Sequence, residues 1–189
     1  MIKIFLIIAL GSIIAFKVMA YEEANYVVVK KNKVYEIRKY YDRLAIETIT
    51  SNQGSSFRKL FNYISGNNET KEEIKMTTPV TQIEKKGSMT MQFYLPSRFN
   101  KDNVPSPSNK EVKILNIKGG YYAVIRYSGM ASNKNFIKHK NILKNELKKK
   151  NILILSSPIK ATYDKPFTLP ILRRNEAMFK IDIKIKGEI

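Results

Sequence analysis

The chain has no cysteine. That removes disulfides, thiolate nucleophiles, thiolate metal sites, covalent c-type haem attachment and a lipid-modified N-terminal cysteine together. Histidine is nearly as scarce, His139 being alone, so one chain offers neither a multi-histidine metal site nor two histidines for one iron. Tryptophan is absent, and the eight glycines form no phosphate-cradling motif. Acids are in short supply, with 16 Asp and Glu against 34 Lys and Arg, a formal charge of +18. Such a charge favours polyanions or anionic lipid surfaces at low salt. Most of it is lysine, however, whereas nucleic-acid readers concentrate arginine, whose planar fork fits phosphates and base edges. The aromatics are spread through alternating strands instead of being gathered as a stacking platform, so the reading is no nucleic-acid partner.

At 189 residues, with 43% apolar and 26% charged residues, one domain with one ordinary core is expected. Lys3 precedes the apolar run 4–16, and Val18-Met19-Ala20 offers small residues at the two positions a signal peptidase reads. Residues 1–20 therefore read as a signal peptide, with the mature domain spanning 21–189 and exported to the periplasm or beyond. The run is shorter than the ~20 residues that cross a bilayer as a helix. Lys17 interrupts the cleavage region and leaves an uncleaved N-terminal anchor as the alternative.

Along the mature chain, Tyr26–Val29 and Val34–Tyr40 read as a hairpin around Lys31-Asn32-Lys33, and Leu44–Thr50 alternates as a strand. Phe57, Leu60, Phe61 and Ile64 recur at spacings of three, four and seven, the signature of one face of a short helix ending near Gly66. Strand Met89–Leu95 and a loop over 96–109 close the first half. Val112–Ile117 and Tyr121–Tyr127, separated by Gly119-Gly120, read as a second hairpin. A helix over 133–150 follows, with the stripe Phe136, Leu143 and Leu147 and with lysines largely outside it. His139 flanks that stripe and reads as structural. Strands over 152–155, 160–163 and 177–185 complete the chain. Hairpin, helix and strands thus occur twice, a duplication of pattern that buries two apolar sheet faces by joining the halves into one sheet.

Four segments, Tyr35-Glu36-Ile37-Arg38-Lys39-Tyr40, Ile74-Lys75-Met76-Thr77-Thr78-Pro79-Val80, Met91-Gln92-Phe93-Tyr94-Leu95-Pro96 and Tyr127-Ser128-Gly129, occur in an order that resembles the SOUL haem-binding family. Most specific is Tyr163-Asp164-Lys165-Pro166-Phe167-Thr168-Leu169-Pro170 followed by Arg173-Arg174-Asn175-Glu176. The resemblance implies an α+β fold: a distorted eight-stranded antiparallel β-barrel of two pseudo-repeated halves with two flanking helices. It also implies non-covalent binding of haem, or a related tetrapyrrole or large apolar ligand, in a cleft beside the first helix. Carried over, the cofactor-binding residues are Phe57, Leu60, Phe61, Ile64, Leu169, Arg173 and Arg174, with no axial ligand assigned. Gly54, Asn62 and Leu169 stand where the family's haem binders carry cations. Arg173 and Arg174 have two readings, as cations for propionates or as ties that fasten the last strand through hydrogen bonds and ion pairs.

No nucleophile with its base and no tuned acid–base pair can be assembled, so the expectation is a binding protein and not an enzyme. Glu36, Glu47, Asp164 and Glu176 read as solvated carboxylates. The rival role is an envelope interaction module that meets anionic membrane or a partner protein through the lysine-rich second helix, with no part for haem.

Overall fold

The computed structural model describes residues 21–183 apart from 51 and 86; the expected signal peptide and Ile185 lie outside the described residues. Among the described residues are twelve strands: β1 (Glu22–Glu23), β2 (Tyr26–Lys31), β3 (Glu36–Tyr40), β4 (Arg43–Thr50), β5 (Thr77–Thr78), β6 (Val80–Lys85), β7 (Ser88–Tyr94), β8 (Lys113–Ile117), β9 (Gly120–Tyr127), β10 (Leu153–Ile154), β11 (Ile159–Thr162) and β12 (Asn175–Asp182). Helix α1 (Gln53–Ile64) follows β4, and α2 (Asn133–Lys149) follows β9. Each starts where a side chain caps a free backbone N–H, Asn52 accepting from Ser55 at 3.0 Å and Ser132 from Asn135 at 3.2 Å. Among the described residues no helix is long and apolar enough to cross a membrane.

The sheet runs β2-β3-β9-β12-β11-β6-β7-β4-β8, with β10 pairing beside β11 on β12. Setting β2 and β10 aside leaves eight strands whose order is palindromic. Matching β3, β4, β6 and β7 with β8, β9, β11 and β12 and reversing the order returns the same sequence of strands. The duplication is therefore a two-fold relation whose axis passes between β6 and β11. Each half hands its first strand to the other: β3 pairs with β9, and β8 pairs with β4.

This exchange overturns one expectation. β8 and β9 do not form a hairpin around Gly119-Gly120, although β2 and β3 do pair as expected, with a bulge at Val28–Lys30. The two-residue links 41–42 and 118–119 each join strands on opposite sides of the sheet. Such a link spans at most about 11 Å, so the sheet has to curl until its edges approach, which makes it a half-barrel. The links touch where they cross. Gly119 N–H donates to Asp42 at 2.9 Å, and a Cβ on Gly119 would lie 2.5 Å from the Tyr40 carbonyl oxygen.

Register separates the two faces. One row across the strands, Ile46–Phe93–Val80–Thr162–Asn175–Tyr127, lies toward the helices. The next row, Glu47–Gln92–Thr81–Ala161–Glu176–Arg126, lies toward the hollow of the curl. α1 covers β4 and β7 through Leu60, Ile64 and Tyr63, packed with Ile46, Met91 and Phe93. α2 covers β9 and β12 through Leu143 and Leu147, packed with Ile125, Ala177 and Phe179. The central pair β6–β11 is left between the helices.

The hollow side holds an unusually polar core. Glu176, read from sequence as solvated, is fully buried. It accepts two hydrogen bonds from Arg38 at 3.0 and 3.1 Å, one from Arg174 at 3.0 Å and one from the Tyr163 hydroxyl at 2.7 Å. A buried carboxylate holds its charge only with partners of this kind. Burial works against the Arg38 charge, but Glu176 and Tyr40 outweigh it and keep its pKa above the ordinary value.

Candidate functional site

The uncovered β6–β11 strip is the floor of a cleft of about 720 Å³, within the size range of small-molecule sites. Val80, Gln82, Met91, Lys160, Thr162 and Asn175 of the sheet line the floor. Phe57 and Phe61 form the wall on the α1 side, their rings stacked with centroids 5.9 Å apart, and Phe57 meets Phe93 edge-on at 5.2 Å. The helical periodicity thus splits into two adjacent rows four residues apart. Leu60 and Ile64 point into the core under α1, while Phe57 and Phe61 face the cleft, 41% and 47% exposed.

The C-terminal residues named from sequence also separate. Arg173 borders the cleft, and its guanidinium donates to the carbonyls of Thr168, at 2.7 Å, and of Pro166. Arg174 is committed elsewhere: it pairs with Glu23 at 2.9 Å and Glu176 at 3.0 Å and lies over the Tyr163 ring at 3.6 Å. Burial opposes its charge, and Tyr163, Glu176 and Glu23 together raise its pKa above the ordinary value. Leu169 is exposed and does not line the cleft. Among these residues the structure brings Phe57, Phe61 and Arg173 together. His139 lies flat on Tyr127 with centroids 4.0 Å apart, its Nδ1 2.8 Å from the Asn135 carbonyl oxygen, and does not line the cleft.

One residue of the cleft was not anticipated. Lys160 sits on the floor, only 5% exposed, and its ammonium has a single polar contact, Asn133 Oδ1 at 3.2 Å. Burial pushes its pKa below the ordinary 10.5. It also borders a second hollow of about 550 Å³ between the N-terminal ends of the helices, beside Phe136 and Lys140. Its signal in the sequence is alternation: Ile159 and Ala161 fall on the hollow face, which places Lys160 on the opposite face of a central strand, in the strip between the two helices. A cavity of about 490 Å³ elsewhere opens by the β3–β4 link, lined by Glu22, Glu23, Asp42 and Asp102 together with Arg43 and Lys101.

Residues 21–180 match the SOUL heme-binding protein family. The chain belongs to that family. It is similar to Heme-binding protein 2 of Mus musculus, 30% identical over 164 residues that cover 78% of this chain and 77% of that protein. Among solved structures, the C-terminal domain of EcmrR superposes with a TM-score of 0.59 at 13% identity, covering 78% of this chain and 96% of that one. A hydrolase from Listeria innocua superposes with 0.55 at 9% identity, covering 82% and 94%. At such identities these likenesses concern the fold alone. The SOUL assignment agrees with the α+β, curled antiparallel architecture and its two halves.

Proposed function

We infer that this SOUL protein binds haem or a closely related tetrapyrrole, without covalent attachment, in the cleft between α1 and α2. The observation that carries the reading is a buried, nearly unpartnered lysine on the floor of a slot with an aromatic wall, where its floor neighbours Gln82, Thr162 and Asn175 are polar but uncharged. A tetrapyrrole is a broad apolar disc with carboxylates on one edge. Phe57, Phe61, Met76, Val80 and Met91 offer it aromatic, thioether and aliphatic surface. Lys160 offers a carboxylate a charge-assisted hydrogen bond that recovers what burial costs the ammonium, and Arg173 stands at the rim. The residues present therefore fit such a group. Residues 1–20 are proposed to act as the export address, placing the binding domain outside the cytoplasm.

The test is a haem titration of the chain from Tyr21, followed by the Soret band. A saturable one-to-one change is expected, weakened about tenfold or more by Phe61→Ala, which strips one wall, and unaltered by Phe167→Ser, whose side chain lies off the cleft. A change that never saturates, or one indifferent to Phe61→Ala, would sink the reading.

A further inference from the structure

The loop between β11 and β12 shows its apolar side chains to solvent. Phe167 is 81% exposed, Leu169 65%, Ile171 77% and Leu172 69%. None of the four lines the cleft, so tetrapyrrole binding there does not account for them. Isolated exposed apolar residues need no explanation, but four large ones within six positions mark an interaction surface.

The loop is rigidly built. Several of its carbonyls accept hydrogen bonds from the protein: Thr168 and Pro166 from Arg173, Pro170 from Gly129 N–H at 2.8 Å and Leu169 from Leu172 N–H at 2.9 Å. Backbone that enters a low-dielectric medium needs this internal pairing. Through Gly129 the loop abuts Met130, itself exposed, and the start of α2, where Lys134 and Lys138 are exposed. Lys165 flanks it on the other side. Lys134, Lys138 and Lys165 are thus the exposed cations of these two flanking stretches, against one acid, Asp164. Apolar tips ringed by lysines suit the boundary between acyl chains and anionic headgroups.

The Lys165 ammonium lies 5.6 Å from the Tyr21 ring centroid and 5.7 Å from that of Phe167, which sets a cation and a second aromatic ring beside the loop. We propose that the Phe167–Leu172 loop is a membrane-insertion tip that seats the protein on an anionic bilayer with the cleft close to the lipid surface. The α2 lysines supply attraction and the loop supplies the apolar contact.

The cysteine-free chain allows a clean probe. Ile171→Cys and, at the far end of the sheet, Ser88→Cys are made in the full chain and labelled with an environment-sensitive dye. Vesicles of phosphatidylcholine with or without phosphatidylglycerol are then added. The expected result is a blue shift at position 171 with phosphatidylglycerol vesicles, quenching there by brominated lipid, and no change at position 88. Adding Phe167→Ser and Leu169→Ser should weaken this partition about tenfold or more. An equal response at both positions, or none at 171, overturns the proposal. So does emission at 171 that is already blue without lipid: dependence on protein concentration would assign the loop to a second copy, and independence to residues 1–20.

Discussion

Lys160 has the most to say about ligand chemistry at the scale of single residues. Its pKa is lowered by burial, so in the free protein it releases its proton below the ordinary lysine value while the unfolded chain still holds one. Stability from this group therefore rises with pH between the lowered value and 10.5. A bound carboxylate favours the charged form and draws the pKa back up, so affinity should fall as pH climbs through the free-protein value. Lys160→Met should weaken haem binding at neutral pH about tenfold, the worth of one charge-assisted hydrogen bond, and flatten that alkaline decline. The same variant should unfold at higher temperature, by on the order of 1 kcal/mol of added stability. An unchanged alkaline slope in titrations of the variant would remove Lys160 from the site. Glu176 faces the opposite situation, since Arg38, Arg174 and Tyr163 give its buried charge the partners that Lys160 lacks.

Elements are governed by where links cross as much as by the strands they join. Gly119→Ala would put a methyl group 2.5 Å from a backbone carbonyl, which neither link can easily yield, because each is two residues long. A loss of about 1–3 kcal/mol in denaturant unfolding is expected, as for overpacking elsewhere, and unaltered stability would mean that the crossing has slack. The same crossing explains what sequence could and could not convey. Both helices and the alternation of most strands were legible because each depends on local spacing, whereas β6, with the short run Val80–Lys85, was not read as a strand. The strand exchange was not, since Gly119-Gly120 marks a change of direction equally well in a hairpin and in a link to a distant partner. Nor was the division of the α1 residues: Leu60 and Phe61 are one position apart, and only the gap left over β6–β11 decides that Phe61 faces a cleft while Leu60 is core. Lys160 and Glu176 were missed for a related reason, because a charged residue in an alternating strand reads as solvated until both faces of that strand are known to be covered.

For the whole molecule, the two-fold arrangement places the cleft on the axis, with an aromatic wall from one half and the buried lysine from the other. The basic surface and the projecting loop would hold that cleft near a bilayer, the compartment into which free haem partitions. The exchange of first strands has a further outcome. Because β3 completes the sheet of the second half and β8 that of the first, neither half holds all the strands of its own sheet, and each supplies an edge to the other. A chain severed in the loop over 96–109 should therefore yield two peptides that are disordered separately and regain the sheet when mixed, with circular dichroism reporting the recovery. Haem titrated into that mixture would turn the protein into a two-part reporter whose signal exists only when the halves meet.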